Sequence, residues 1–197
     1  MNGEPPREKI GADSDDYIVC CDGAYRWAND KIGRIDCIAG DFDSLGYVPE
    51  RGEVYPAEKN YTDGEIALFK LLDAGVKEIA IYGGGGGRED HFWGNLQLLY
   101  AAHKRGARAV MYTNNGEITC SGGKISLAGH KGKTFTLAPV GISSHIIESS
   151  GVKYPLLNLT LRAGSCRGVS NVVLSDDAEI NCDRGALFVF IIESGKE

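Results

Sequence analysis

The sequence predicts two successive folds. An α/β domain with a mostly parallel sheet is expected over residues 1–116, and an antiparallel β-sandwich domain over residues 117–197. Three observations predict this. Up to about Tyr112, short apolar runs alternate with segments whose apolar residues recur at helical spacing, the rhythm of strands covered by helices. Beyond residues 113–116 (TNNG), polar–apolar alternation takes over and no helical period appears. Glycine turns separate these later runs. The 197 residues are 43% hydrophobic, enough for a buried core in each part.

Taken in order, YIVCC at 17–21 reads as a buried strand and CIA at 37–39 as a shorter one. Ile66, Phe69 and Leu72 mark a helical face, which Asp73, Ala74 and Gly75 end. KEIAIY at 77–82 is strand-like. Leu96, Leu99 and Tyr100 mark a second helix over 92–103, and 107–112 is again a strand. In the second half, 133–137 (KTFTL), 145–148, 157–161 (LNLTL) and 178–182 alternate. A terminal apolar run, GALFVFII, fills 185–192.

Composition excludes several classes. The formal net charge is −6 and no basic run stands out, which argues against nucleic acid as a partner. The six cysteines form no CxxC and no zinc-spaced set with histidine, so they read as reduced, mostly buried thiols. The polar first 16 residues lack the apolar core of a signal peptide. No apolar run approaches the ~18 residues that cross a bilayer. The expectation is a cytoplasmic protein without membrane contact.

The chemistry gathers after the strands of the first half. Asp22-Gly23 follows YIVCC, Gly40-Asp41-Phe42-Asp43-Ser44 follows CIA, and five glycines (83–87) follow KEIAIY. Ligands of parallel α/β sheets bind beyond the carboxyl ends of strands, so these three turns are expected to converge. Asp41 and Asp43, two apart, share one side of extended backbone. Two such carboxylates repel unless a cation or a proton lies between them, and hard oxygen ligands suit Mg²⁺. A solvated Asp/Ser turn fits the same residues.

The glycine tract fails the P-loop pattern, since Arg88 and Glu89 follow the last glycine. Its backbone can still approach an anion closely, and the helix start behind it favours negative charge. A flexible surface loop is the alternative. Thr62 and Glu65 form a capping box, and Asp63 beside them suits the positive helix end as well as a ligand. Lys59 is the nearby cation, either solvated or on a phosphate. Asp90 reads as a helix N-cap, a metal ligand or a group that orients a hydroxyl. His91 and Asn95 share a helix face. Trp27 and Trp93 are expected to pack rather than stack on a ligand.

The stretches CCDGAYRWA, IAGDFDSLG, AEKNYTDGEIAL, GGGGGREDHFWGN, VKYPLLN and CRGVSN occur in the order found in thiamine pyrophosphokinases, and the resemblance spans about residues 2–192. It implies transfer of pyrophosphate from ATP to the thiamine hydroxyl, with Mg²⁺ as cofactor, release of AMP, and a homodimer. It implies metal at Asp41 and Asp43 with Asp22 assisting, and chemistry around Asp43, Asp63, Arg88 and Asp90. Asp22, Gly23, Lys59, Gly86, Gly87 and Asn95 would line the nucleotide, and Ser170 and Asn171 would meet thiamine. Without the resemblance, Ser170-Asn171 reads as a bulge or turn in an apolar run. A metal-dependent nucleotide phosphohydrolase and a non-catalytic nucleotide- or thiamine-binding module are the alternatives. Asn60 stands where the family usually carries an aspartate, and Gly64 where it carries a threonine. Only Met1 precedes Asn2-Gly3-Glu4-Pro5, which follow a first strand in the family. A chain with residues upstream is therefore expected to melt higher.

Overall fold

The computed structural model describes residues 1–43, 45–55 and 60–193. The chain divides into two units, Met1–Ala107 with Met111–Asn114, and Arg108–Val110 with Asn115–Glu197.

In the first unit, β1 (Val19–Cys21) runs into a single 3₁₀ turn, Asp22–Ala24, and then α1 (Tyr25–Ile32). Gly33, at φ +79°, ends α1 in the left-handed conformation that favours glycine. Next come β2 (Cys37–Gly40) and β3 (Gly52–Val54). The three strands form one sheet in the order β1-β2-β3, both pairs parallel. Ala24 and Ala28 pack against Cys20, Ile35, Ile38 and Phe42, with Trp27 at the margin. The helix α2 (Asp63–Asp73) starts at the capping box read from sequence: Thr62 Oγ1 accepts from Glu65 N, and Glu65 accepts from Thr62 N. Its buried face is Ala67, Leu68 and Leu72; Ile66 and Phe69, expected inside, are only half-buried. Then follow β4 (Glu78–Tyr82), α3 (Glu89–Lys104), which buries Leu96, Leu98, Leu99 and Ala102, and β5 (Arg108–Thr113), whose residues Arg108–Val110 belong to the second unit.

Several expectations change. The first strand is shorter than 17–21, because Tyr17 is exposed and Ile18 half-buried. β4 does not join the parallel sheet; its hydrogen-bonded neighbour is β5. Carbonyls at and beyond the end of β4 are satisfied instead by the amino-terminal segment: Met1 N donates to Tyr82 O, Gly3 N to Gly83 O and Glu4 N to Gly85 O, each at 2.8 Å. The helix α1 and the strand β3 were not read from sequence. Trp93 is exposed on α3 instead of packed.

The second unit continues with β6 (Gly116–Ser126), β7 (Thr134–Pro139), β8 (Ser143–Ser150), β9 (Leu159–Arg162), β10 (Asn171–Val172) and β11 (Glu179–Ile192). β11 pairs antiparallel with β6, β7 and β8, and β9 with β8. The two runs expected at 178–182 and 185–192 are this one strand, whose register with β6 breaks between Cys182 and Leu187 at Gly185, φ +81°. Two glycines inside β6 hid its alternation from sequence reading. The core is aliphatic around Phe135, Ile146, Ile180, Leu187 and Val189.

No helix among the described residues is long and apolar enough to cross a membrane. The cysteines are free, and Cys166 alone is exposed. Burial pushes the Cys20 and Cys120 thiols up to about 12, so both stay protonated.

Candidate active site

Gly40 ends β2, and a Cβ there would lie 2.7 Å from Asp22 Cβ. Glycine thus lets the end of β1 close onto the end of β2. Asp22 and Phe42 both have positive φ, +30° and +60°. Such strain in non-glycine residues concentrates where surrounding structure fixes a functional geometry. The result brings Asp22, Asp41 and Asp43 together: one carboxylate oxygen from each lies within 4.8 Å of the others.

Asp22 is buried, Asp41 half-buried and Asp43 exposed. Asp41 Oδ1 accepts from Asp43 N at 3.3 Å, closing the turn. Asp22 Oδ1 is buried with no hydrogen-bond partner among the described residues. A buried carboxylate oxygen without a donor, beside two more carboxylates, is unfavourable until a cation arrives. Three oxygens rising from a buried to an exposed position fit a hard divalent ion with an open side.

The glycine tract lies in the same unit. Its first three residues are buried and its last two exposed. A Cβ on Gly83, at φ +65°, would strike Met1 O at 2.5 Å and the Trp27 ring at 2.7 Å. The amino-terminal segment explains the run: Gly3 must also lack a Cβ, which would lie 2.6 Å from Gly83 O and from Gly85 O. Gly86 and Gly87 have left-handed φ, +69° and +72°. Glu4 packs on Gly86 and Asn2 on Gly23. The resemblance places Asn2-Gly3-Glu4-Pro5 after a first strand, but no sequence reading gives these residues this role against the glycines. The one signal was Gly3 itself.

At the start of α3 the N-cap is Arg88, which removes the N-cap from the three readings of Asp90. The Arg88 guanidinium grips Asp90 through two bonds, Nε to Oδ1 at 3.1 Å and Nη2 to Oδ2 at 2.6 Å. With a further bond from His91 N, this holds the exposed Asp90 carboxyl down to about 2. Asp90 is therefore ionised at neutral pH and a weak proton acceptor. Asn95 donates to Gly84 O at 2.8 Å. Asp63 opens α2, and its carbonyl receives the Cys21 thiol at 3.7 Å, which sets this helix start beside the end of β1. Lys59 lies outside the described residues.

In the second unit, Ser170 is exposed with φ +61°, and its N–H donates to Thr136 Oγ1. Asn171 is buried. Its amide accepts from Tyr154 N at 2.9 Å and donates to Tyr154 O at 2.7 Å, so it braces the neighbouring loop.

Comparison with known proteins adds an independent line. Residues 11–111 match the family described as "Thiamin pyrophosphokinase, catalytic domain", and residues 124–187 match "Thiamin pyrophosphokinase, vitamin B1 binding domain". The chain is 31% identical over 160 residues to the thiamine pyrophosphokinase of Bacillus subtilis (strain 168), covering 76% of this chain and 75% of that one. Among solved structures, the Bacillus subtilis enzyme superposes with a TM-score of 0.81 at 25% identity, over 93% of this chain and 91% of that one. The Geobacillus thermodenitrificans protein gives 0.79 at 25% identity, over 98% and 96%. The Candida albicans protein, at 20% identity and 0.72 over 96% and 88%, shares the fold.

Proposed function

This chain belongs to the thiamine pyrophosphokinase family, and we propose on that footing that it is a thiamine diphosphokinase, moving pyrophosphate from ATP to the thiamine hydroxyl and releasing AMP. The observation that carries the reading is the meeting of Asp22, Asp41 and Asp43, with Asp22 Oδ1 buried and unpartnered.

Asp41 and Asp43 would hold Mg²⁺, with Asp22 completing the set. Bound there, Mg²⁺ would offset the charge of the phosphate oxygens. Gly86 and Gly87 would bring backbone N–H groups to the phosphates, as left-handed glycines at a helix start do. Arg88 would exchange its bidentate grip on Asp90 for one on a phosphate, and Lys59 would add a second cation. Gly23 and Asp63 would line the same rim. Released from Arg88, Asp90 would orient the thiamine hydroxyl by accepting a hydrogen bond. Such transfers depend on positioning and charge neutralisation more than on a strong base, which suits a carboxylate as the orienting group.

Thiamine would meet the second unit at Ser170, whose exposed left-handed position is held by Thr136, and at Asn171 through the loop it braces. We also infer a homodimer in the cytoplasm. The family resemblance supports the dimer, as do exposed apolar side chains of the sandwich such as Ile142 and Leu157. Light scattering tests it.

The test of function is direct. Purified protein with ATP, Mg²⁺ and thiamine should yield thiamine diphosphate and AMP in equal amounts by chromatography. Thiamine-independent phosphate release would instead indicate a hydrolase. Binding without AMP would indicate a non-catalytic module.

A further inference from the structure

We propose that Asn95 is a positioning residue: it orients the Gly84–Gly85 peptide, and through it the grip of the glycine loop on the phosphates of the nucleotide. The proposal rests on the nucleotide reading of that loop given above.

Three consecutive carbonyls of the loop are each taken by a different donor. Gly83 O accepts from Gly3 N, Gly85 O from Glu4 N, and Gly84 O from Asn95 Nδ2, all at 2.8 Å. The first two donors are backbone and cannot be altered by side-chain choice. Asn95 is the one side chain among the described residues that sets the direction of a loop peptide. It stands within α3, so a rigid element aims it.

A trans peptide is planar, with its C=O and the following N–H pointing opposite ways. Fixing the Gly84 carbonyl on Asn95 therefore fixes the direction of Gly85 N–H. The other two bonds fix Gly84 N–H and Gly86 N–H in the same manner. Among the described residues, none of these three N–H groups has an acceptor. Gly84 and Gly85 are buried, where an unpaired N–H is rare and calls for a partner. With its carbonyls committed and its amides unpaired, the loop is prepared for an acceptor-only ligand such as a polyphosphate.

Glycine has no intrinsic preference that would hold this arrangement. A peptide between two glycines flips readily once its carbonyl is released. Asn95→Asp keeps the shape of the side chain but sets an acceptor against Gly84 O. Asn95→Ala only removes the donor.

The experiment compares the full-length wild type, Asn95→Asp and Asn95→Ala. Steady-state kinetics are measured with ATP, Mg²⁺ and thiamine, and glycine amide resonances are followed by NMR during titration with inorganic pyrophosphate and Mg²⁺. The expected result is a rise in KM for ATP of at least tenfold in Asn95→Asp, a smaller rise in Asn95→Ala, and little change in KM for thiamine. The loop glycine amides should shift in the free variants and lose their response to pyrophosphate. A variant with wild-type KM for ATP and a wild-type pyrophosphate response overturns the proposal, even if it melts lower. Equal increases in both KM values overturn it as well. If Asn95→Asp fails to fold, Asn95→Ala decides alone. If the wild type forms no thiamine diphosphate, the enzymatic reading fails, while the pyrophosphate titration still tests the tether.

Discussion

The antiparallel unit and the α/β unit treat their strands in opposite ways. In the antiparallel unit, β6 and β11 run 11 and 14 residues and share a continuous aliphatic core. Its one buried asparagine, Asn171, is paired on both sides of its amide. In the α/β unit the parallel strands are three or four residues long. Their ends carry left-handed Asp22 and Phe42 and an unpartnered carboxylate oxygen, and the loop of five glycines follows β4, outside that sheet. The lesson is that reactive geometry sits on strand ends held by short, strained segments, while the long strands carry the stability.

The largest effect should come from the core of the antiparallel unit. Phe135 is fully buried, so Phe135→Ala should cost about 3–5 kcal/mol. Chemical denaturation followed by far-UV circular dichroism measures it. An effect below ~1 kcal/mol would mean that the core does not bear stability as described.

Asp43→Asn makes the converse test in the other unit. Exposed and at a strand end, it should lower thiamine diphosphate formation by about 100-fold or more while leaving the melting temperature within a few degrees. Normal turnover would remove Asp43 from the site.

Asp22 sharpens the contrast. Without divalent metal, Asp22→Asn should be more stable than the wild type by about 1 kcal/mol, because one of three crowded carboxylates is gone. Saturating Mg²⁺ should raise the wild type more than the variant; at about 100 times Kd the linkage is about 2.7 kcal/mol. Equal responses of the two proteins to EDTA and Mg²⁺ would refute the cation site.

The smallest effect concerns pH. His145 contacts Asp183 Oδ1 at 2.5 Å and Asn158 Oδ1 at 3.0 Å. The Asp183 carboxylate foremost, then Asn158, raises the His145 pKa above its usual 6.5, and His145 lowers that of Asp183 below 3.8. The histidine contribution is complete below about 6.5 and fades as pH rises through the higher folded value. The carboxylate contribution is complete above about 3.8 and fades as pH falls through the lower folded value. His145→Gln should therefore melt a few degrees below the wild type near pH 5 and approach it at high pH. A difference that does not vary with pH would exclude the ion pair as its cause.

Legibility followed locality. The capping box at Thr62 and Glu65 was readable because its partners are three residues apart. The Asp41/Asp43 pair was readable because its members stand two residues apart, although a left-handed turn at Phe42, φ +60°, and not extended strand lies between them. The helix α1 escaped because it opens without a side-chain cap, straight from a 3₁₀ turn. β11 was read as two strands because Gly185, a bulge, carries the same letter as a turn. Of the three readings open for Asp90, the N-cap is the one that local residue preference suggests, yet the cap falls on Arg88.

The sequence alone determined the helices α2 and α3, the strands beside them, the acidic turns and the change from helical to alternating rhythm, because each depends on residues within about one or two turns of chain. Tertiary structure alone decided that Met1–Glu4 covers the glycines 80 residues later, that Asn95 holds Gly84, and that Asn171 turns inward to Tyr154. These contacts pair groups whose closeness is set by packing, and a backbone carbonyl waiting for a donor leaves no mark in the amino-acid code.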